Sequence, residues 1–373
     1  MIIGVPKEIK AQEYRIALTP HGAAELIRAG HEVLVERSGG VGAGFSDEEY
    51  RRAGARIVNE AGQIWSESHI IVKVKEPLPA EYPQMRQGQL LFTYLHLAAS
   101  RECTDALLKS GITSIAYETV TVNGQLPLLA PMSEVAGRLA PQVGAHALQK
   151  ASGGSGVLLG GVPGVRPGRV LILGGGVAGT EAARIAHGMG ASVQIVDRNI
   201  ARLKELEELF DGNIETIYST AGAIEELAIE ADLVIGAVLI RGDKAPKLIS
   251  NSLVAKMKPG SVLVDIAIDQ GGCFEDSRAT THAEPTFPIH QSLFYCVANM
   301  PGAVPRTSTL ALTNATLPYL LQLAGKGWAK AIAESAPLRS GFTTHEGELF
   351  TPEVGHALGL PVRDINEINE FTS

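Results

Sequence analysis

The sequence predicts an α/β protein of two domains, each built on a parallel sheet. Three observations carry this expectation. The chain has 373 residues, more than one hydrophobic core usually serves. Short β-branched runs alternate with longer amphipathic segments, as strands do with crossover helices. The 41 glycines cluster beside those runs, where tight strand-to-helix turns need them.

The elements can be taken in chain order. The first strand is Ile2-Ile3-Gly4-Val5. Thr19 can cap the following helix, Pro20 suits its first turn, and Gly30 ends it. Val33-Leu34-Val35 is the next strand, followed by a helix opened by Ser46 with Asp47, Glu48 and Glu49 in its first turn. Residues 70–74, 90–95 and 112–117 read as further strands. From residue 133 to 150 the pattern is one long helix with Pro141 as its only breaker, and a glycine-rich loop leads from it to Gly168. A second series has strands at residues 170–173, 193–196, 233–235 and 262–265. From Pro305 a long helical stretch runs to Leu323, closed by Gly325. This organisation assigns residues 1–128 with 305–373 to one domain, and 129–304 to an inserted second domain.

Composition excludes several classes. Apolar residues make up 45% and charged residues 19%, an ordinary folded composition. The formal charge of -8 argues against a nucleic-acid partner, which needs a basic surface. Cys103, Cys273 and Cys296 form no CxxC pair, which disfavours a disulfide framework and fits a reducing cytoplasm. The opening MIIGVPKEIK enters a strand without a signal core, and no run approaches the ~18 apolar residues of a membrane span. No metal centre is indicated, since H-x-x-x-H and paired-carboxylate spacings are absent, and G-x-S-x-G is absent too.

The strongest local signal is RVLILGGGVAGTEAARIAHGMGASVQIVD, residues 169–197. Gly174, Gly176 and Gly179 give G-x-G-x-x-G between an apolar strand and a helix. Gly174 permits the tight turn, Gly176 lets backbone approach a pyrophosphate, and Gly179 lets helix and strand pack closely. Amides near Val177 and Ala178 then face the phosphates at a helix N-terminus. Asp197 ends the next strand, where a carboxylate can bind ribose hydroxyls and repel a 2′-phosphate, favouring NAD over NADP. Arg198 beside it pulls the other way. An extra glycine, Gly175, should leave the turn undisturbed. A glycine-rich turn without a ligand is the plain alternative; strand, helix and terminal Asp together favour a dinucleotide.

GVPKEIKAQEYRIALTP and this fingerprint together resemble the family of alanine dehydrogenases and the NAD-binding subunits of proton-translocating transhydrogenases. KVKEP, FTYLHLA, PLLAPMSEVAGRLAPQVGA, GGVPGV, KAPKLISNSLVAKMKPGSVLVDIAIDQGG and FYCVANMPGAVPRTST are similar to its alanine dehydrogenase branch. The likeness runs from the first residue to at least residue 325. It implies two Rossmann-like domains with parallel sheets and an interdomain active-site cleft, in a homo-oligomer that is commonly a hexamer. It implies NAD as cofactor and L-alanine, pyruvate and ammonia as substrates. Residue by residue, it places substrate binding on Arg15 and Lys75, and catalysis on His96 and Asp269. It places NAD contacts on Ser133, the turn with Gly174, Gly176, Val177, Ala178 and Gly179, then Asp197, Arg202, Ser219, Val238 and Leu239. Ile266, Ala267, Ile268, Asp269, Arg278, Val297, Ala298, Asn299 and Met300 complete that set. The alternative within the family is an NAD-binding module of a transhydrogenase-like complex without amino-acid chemistry.

The chemistry suits these residue types, though each has an ordinary rival. A guanidinium at Arg15 can grip a carboxylate bidentately, while most such arginines are solvated surface charges. Lys75 follows an apolar strand that Glu76-Pro77 stops, at the end where α/β sheets place ligands; Lys73, two residues back, competes. His96 also follows a strand, and imidazole is the side chain best suited to proton transfer near neutral pH. Asp269, in a glycine-rich turn, can order an attacking water and stabilise protonated His96, with Asp265 as its rival and a plain turn aspartate as the ordinary reading. Leu129 and Met132 can line a small pocket for a methyl group.

Overall fold

The computed structural model describes residues 1–238 and 245–367. It divides into two compact units, Met1–Met132 with Val304–Ser373, and Ser133–Ala303.

The first unit opens with β1 (Ile2–Val5), β2 (Glu32–Glu36), β3 (Arg56–Val58), β4 (Ile70–Val72), β5 (Leu90–Thr93) and β6 (Thr113–Ala116). They lie in the order β6-β5-β4-β1-β2-β3, with every neighbouring pair parallel. β4, β5 and β6 are buried along their whole length, as strands covered on both faces must be. Local signals act as the sequence suggests. Thr19 Oγ1 accepts from the Gly22 amide at 3.1 Å to cap helix Pro20–Arg28, and Ser46 and Glu49 form a reciprocal capping box on Asp47–Arg52.

The second unit contains β7 (Arg169–Leu173), β8 (Ser192–Asp197), β9 (Glu215–Tyr218), β10 (Leu233–Gly236), β11 (Val262–Asp265), β12 (Thr286–Ile289) and β13 (Ser292–Tyr295). Its order is β12-β13-β11-β10-β7-β8-β9, parallel except for the edge strand β12. Leu171, Leu173, Val234, Leu263, Phe274 and Phe294 belong to its core.

After Val304 the chain returns to the first sheet. β14 (Phe342–His345) pairs antiparallel with β6, and β15 (Glu348–Leu349) pairs with β14. Both units are thus doubly wound α/β sheets, the class the sequence predicts. In each, the winding reverses once, between β1 and β4 and between β7 and β10. Open α/β sheets bind ligands at such switch points, beyond the carboxyl ends of the strands.

Three of the boundaries that differ from the sequence reading have a local cause. β4 stops at Val72 because the Val74 amide donates to the Glu8 side chain (2.6 Å) instead of extending the ladder. The long helix spans Ala130–Ala147, ending where Gly154 packs on the carbonyls of Ala147 and Leu148, a contact a side chain would forbid. Helix Pro305–Lys326 continues past Gly325 to a cap at Gly327, which takes a positive φ of 76°.

Candidate active site

In the first unit the candidate residues lie on segments following β1 and β4, the two strands flanking the switch point, and β5 beside β4. Arg15 is buried, only 2% exposed. Its Nε and Nη2 donate to the two carboxylate oxygens of Glu13 at 2.7 and 2.5 Å, and Nη1 lies 3.0 Å from Met132 Sδ. The Arg15 backbone amide also donates to Glu13, at 3.0 Å. Burial pulls the guanidinium pKa down, but the Glu13 hydrogen bonds and charge outweigh it and hold the pKa above its ordinary value.

Lys73 and Lys75 are both buried, 0% and 8% exposed. Lys73 Nζ is fully buried between Glu8 at 3.1 Å and Glu81 at 2.9 Å, so it is the centre of a structural ion triad. Glu8 also accepts from the amides of Val74 (2.6 Å) and Lys75 (3.4 Å), and Thr93 Oγ1 donates to the Lys75 carbonyl at 3.0 Å. The triad therefore fixes the backbone that presents Lys75. Burial pushes the Glu8 carboxyl up, against the opposing charge of Lys73.

His96 is exposed and left-handed, with φ 50° and ψ 36°. A non-glycine residue there is strained and needs its surroundings to hold it. Glu118 does so, accepting the His96 amide at 2.6 Å and the Leu95 amide at 3.1 Å. The imidazole stacks on Tyr94, with centroids 5.8 Å apart and planes 15° apart. Tyr94 is buried, donates its hydroxyl to the Leu128 carbonyl, and lies within range of the Arg15 charge. His96, Tyr94 and Arg15 are thereby linked through neighbouring groups.

In the second unit the fingerprint has the geometry a dinucleotide needs. Gly174 takes a positive φ of 99°, and a Cβ on Gly179 would overlap the Gly174 carbonyl. Gly176 caps helix Val177–Gly188, and a Cβ there would meet nothing of the protein within 4 Å. The first backbone amides of the helix are thus open to an anionic group, and the residues fit a bound pyrophosphate. Gly137 packs on the Ala178 carbonyl, and Ser133, one turn earlier on the same helix, shares that face.

The extra glycine is a junction. Gly175 donates its amide to Asp197 Oδ2 at 2.7 Å and accepts from Arg202 Nε at 2.7 Å, and a Cβ would stand 2.8 Å from Leu206. Arg202 also donates to Thr180 Oγ1 at 2.7 Å, so Asp197 and Arg202 brace the turn. Ser219 follows β9 and donates its amide to the Asp197 carbonyl at 3.0 Å. Val238 follows β10; Leu239 lies outside the described residues.

Asp265 and Asp269 separate. Asp265 is fully buried: Oδ1 accepts from the Ala267 amide at 3.0 Å, and Oδ2 accepts from the Cys273 amide at 2.8 Å and Ser277 Oγ at 2.5 Å. Burial raises its pKa. It organises the 3₁₀ turn Ile266–Gln270, which carries Ile266, Ala267 and Ile268 and presents Asp269 to solvent. Arg278 lies over the Phe287 ring, 4.1 Å from its centroid. Val297 and Ala298 border Thr280 through a bridge and a 3.2 Å amide bond, and lead into Asn299 at φ 60° and Met300.

The residues that sequence reasoning missed are carboxylates. Glu8 and Glu13 lie in the N-terminal motif GVPKEIKAQEYRIALTP, but a buried acid has no periodicity of its own, and Glu81 and Glu118 carry no motif at all.

Two domain models of one family cover most of the chain: the N-terminal domain of alanine dehydrogenase/PNT matches residues 4–136 and its C-terminal domain residues 140–352. The chain is 61% identical to an alanine dehydrogenase of Mycolicibacterium smegmatis, across 98% of each chain. It is 54% identical to an alanine dehydrogenase of Bacillus subtilis, across 96% of this chain and 95% of that one. A solved L-alanine dehydrogenase superposes with a TM-score of 0.93 at 53% identity, over 96% of this chain and 99% of that one. A transhydrogenase structure from Sinorhizobium meliloti shares the fold, with a TM-score of 0.81 at 24% identity, over 94% of this chain and 99% of that one.

Proposed function

The chain belongs to the alanine dehydrogenase/PNT family, and on that premise we propose that it is an NAD-dependent oxidoreductase interconverting L-alanine and water with pyruvate and ammonia. One observation carries the reading: near full-length likeness to alanine dehydrogenases in a chain with an arginine, a lysine and a histidine beyond its central strands. The transhydrogenase alternative rests on fold alone and is set aside.

In this reading the first unit binds substrate and the second binds NAD. Arg15 grips the substrate carboxylate, and Lys75 adds a second positive charge or polarises the keto oxygen. His96 takes a proton as the neutral amine forms and returns one when ammonia leaves. Asp269 orders the water that adds to the imine carbon. Bound NAD supplies the acceptor for the hydride that leaves the α-carbon. The helix amides at Val177 and Ala178 hold its pyrophosphate and Asp197 its ribose, with Ser133, Ser219, Val238, Leu239, Arg278 and residues 297–300 as further contacts. We further place the protein in amino-acid catabolism, as a cytoplasmic homo-oligomer of the hexameric kind common in the family. No described helix is long and apolar enough to cross a membrane.

The test is NADH absorbance with pyruvate plus ammonium, beside NADH alone. Consumption that needs both substrates, and that His96→Ala abolishes while NADH still binds, supports the assignment. NADH binding without consumption on any small 2-oxo acid overturns it.

A further inference from the structure

We propose that Lys247 is a positioning residue, whose side-chain ammonium clasps the glycine turn after β11 and thereby fixes Asp269 for the step that involves water. The inference rests on Asp269 being the residue that orders that water. Lys247 Nζ donates to three backbone carbonyls, Gly271 at 2.6 Å, Gly272 at 3.0 Å and Phe274 at 2.9 Å. A lysine head group has three protons to give, so all three go to one loop. Beside it the Ala245 amide donates to the Gln270 carbonyl at 3.1 Å, and the Leu248 amide to the Cys273 carbonyl at 2.7 Å. Every backbone carbonyl from Gln270 to Phe274 therefore accepts from the segment 245–248. Gly271 and Gly272 both take positive φ, 89° and 77°, so the loop leaves the regular ladder there. One cation on a flexible stem gathers the carbonyls that the strand amides do not serve.

The link to Asp269 is short. The Gly271 amide donates to the Ile268 carbonyl and the Gly272 amide to the Ala267 carbonyl, each at 3.0 Å. These bonds close the 3₁₀ turn Ile266–Gln270 that carries Asp269. The peptide joining Gly271 to Gly272 thus has its carbonyl on Lys247 and its amide on the turn, and a charge at one end strengthens the bond at the other. Asp265 anchors the start of the turn through the Ala267 amide, and Lys247 anchors its end. Lys247 is exposed, so water can reach these carbonyls once the cation is removed. What is lost then is the order of the turn, while the fold stands.

A double-mutant cycle tests this, using steady-state kinetics with pyruvate, ammonium and NADH on the full-length protein. Lys247→Met should lower kcat about 10-fold or more. The pyruvate KM and the NADH Kd should change less than about 2-fold, a split that general loosening would not give. Lys247→Met added to Asp269→Asn should lower kcat no further. Should Lys247→Met prove insoluble, Lys247→Gln, which keeps two of the donors, takes its place in the cycle. A wild-type kcat in Lys247→Met overturns the proposal, as do additive losses or a loss spread evenly over kcat, pyruvate KM and NADH Kd. Insolubility of both variants overturns it too, since Lys247 would then serve folding. An Asp269→Asn variant with wild-type kcat would instead refute the role of Asp269, and absence of turnover in the wild type would refute the reaction itself.

Discussion

Gly176 and Gly179 stand three residues apart in one motif and should fail in opposite ways when given a methyl group. In Gly179→Ala the new carbon would overlap the Gly174 carbonyl oxygen and stand 3.0 Å from its carbon, where carbon atoms prefer about 3.5–4.0 Å. Helix Val177–Gly188 must therefore move off β7, or the turn must open. Overpacking of this kind costs about 1–3 kcal/mol. For a domain of this size, that lowers Tm by about 2–12 °C. In Gly176→Ala the new carbon meets no protein atom within 4 Å, and its φ of -68° suits any residue. Stability should hold, while the methyl group occupies the space where a pyrophosphate approaches the backbone. Differential scanning fluorimetry with NADH titration by fluorescence separates the two. Gly176→Ala should keep its Tm and bind NADH at least about 10-fold more weakly, a loss of ~1.4 kcal/mol. A Gly176→Ala protein that binds NADH like wild type would refute the assignment of that turn to the cofactor.

Other outcomes follow from the buried charges. Lys75→Met should raise the pyruvate KM, and Lys73→Met strands Glu8 and Glu81 without their cation and should cost about 3–5 kcal/mol, read as lost Tm or insoluble protein. Asp269→Asn should keep Tm and NADH binding while slowing turnover; Asp265→Asn replaces a three-bond acceptor and should lower both Tm and NADH affinity. Burial raises the folded pKa of Glu8 above its ordinary 4.5. The folded state then binds more protons than the unfolded one between the two pKa values, so this contribution to stability is present below 4.5 and is lost as pH rises through the folded pKa. Tm measured against pH should therefore fall less steeply above 4.5 in Glu8→Gln than in wild type; equal slopes would contradict the burial of that charge.

Much of the scaffold was legible because central strands of a doubly wound sheet are continuous apolar runs. β1, β4, β5, β7, β10 and β11 all read that way, and the glycines marked their turns. The strands that escaped notice are short, lie toward the sheet margins or are partly exposed. β3 has three residues, β9 is half exposed, and β12 to β15, of four residues or fewer, pair toward the sheet margins. Within the site, sequence could not choose between Lys73 and Lys75, or between Asp265 and Asp269, since each pair shares one segment. The structure gives Lys73 and Asp265 structural partners: Lys73 meets two buried acids and Asp265 meets three donors. Glu8 lies 65 residues from Lys73 in the chain, so no local pattern reveals that pairing.

The central claim is direct transfer of hydride from the α-carbon of L-alanine to NAD. Incubating the protein with L-alanine deuterated at that carbon, followed by mass spectrometry of the reduced nucleotide, tests it most directly. The account requires NADH carrying the deuterium, formed in step with pyruvate. Unlabelled NADH, or no NADH while NAD still binds, would contradict it.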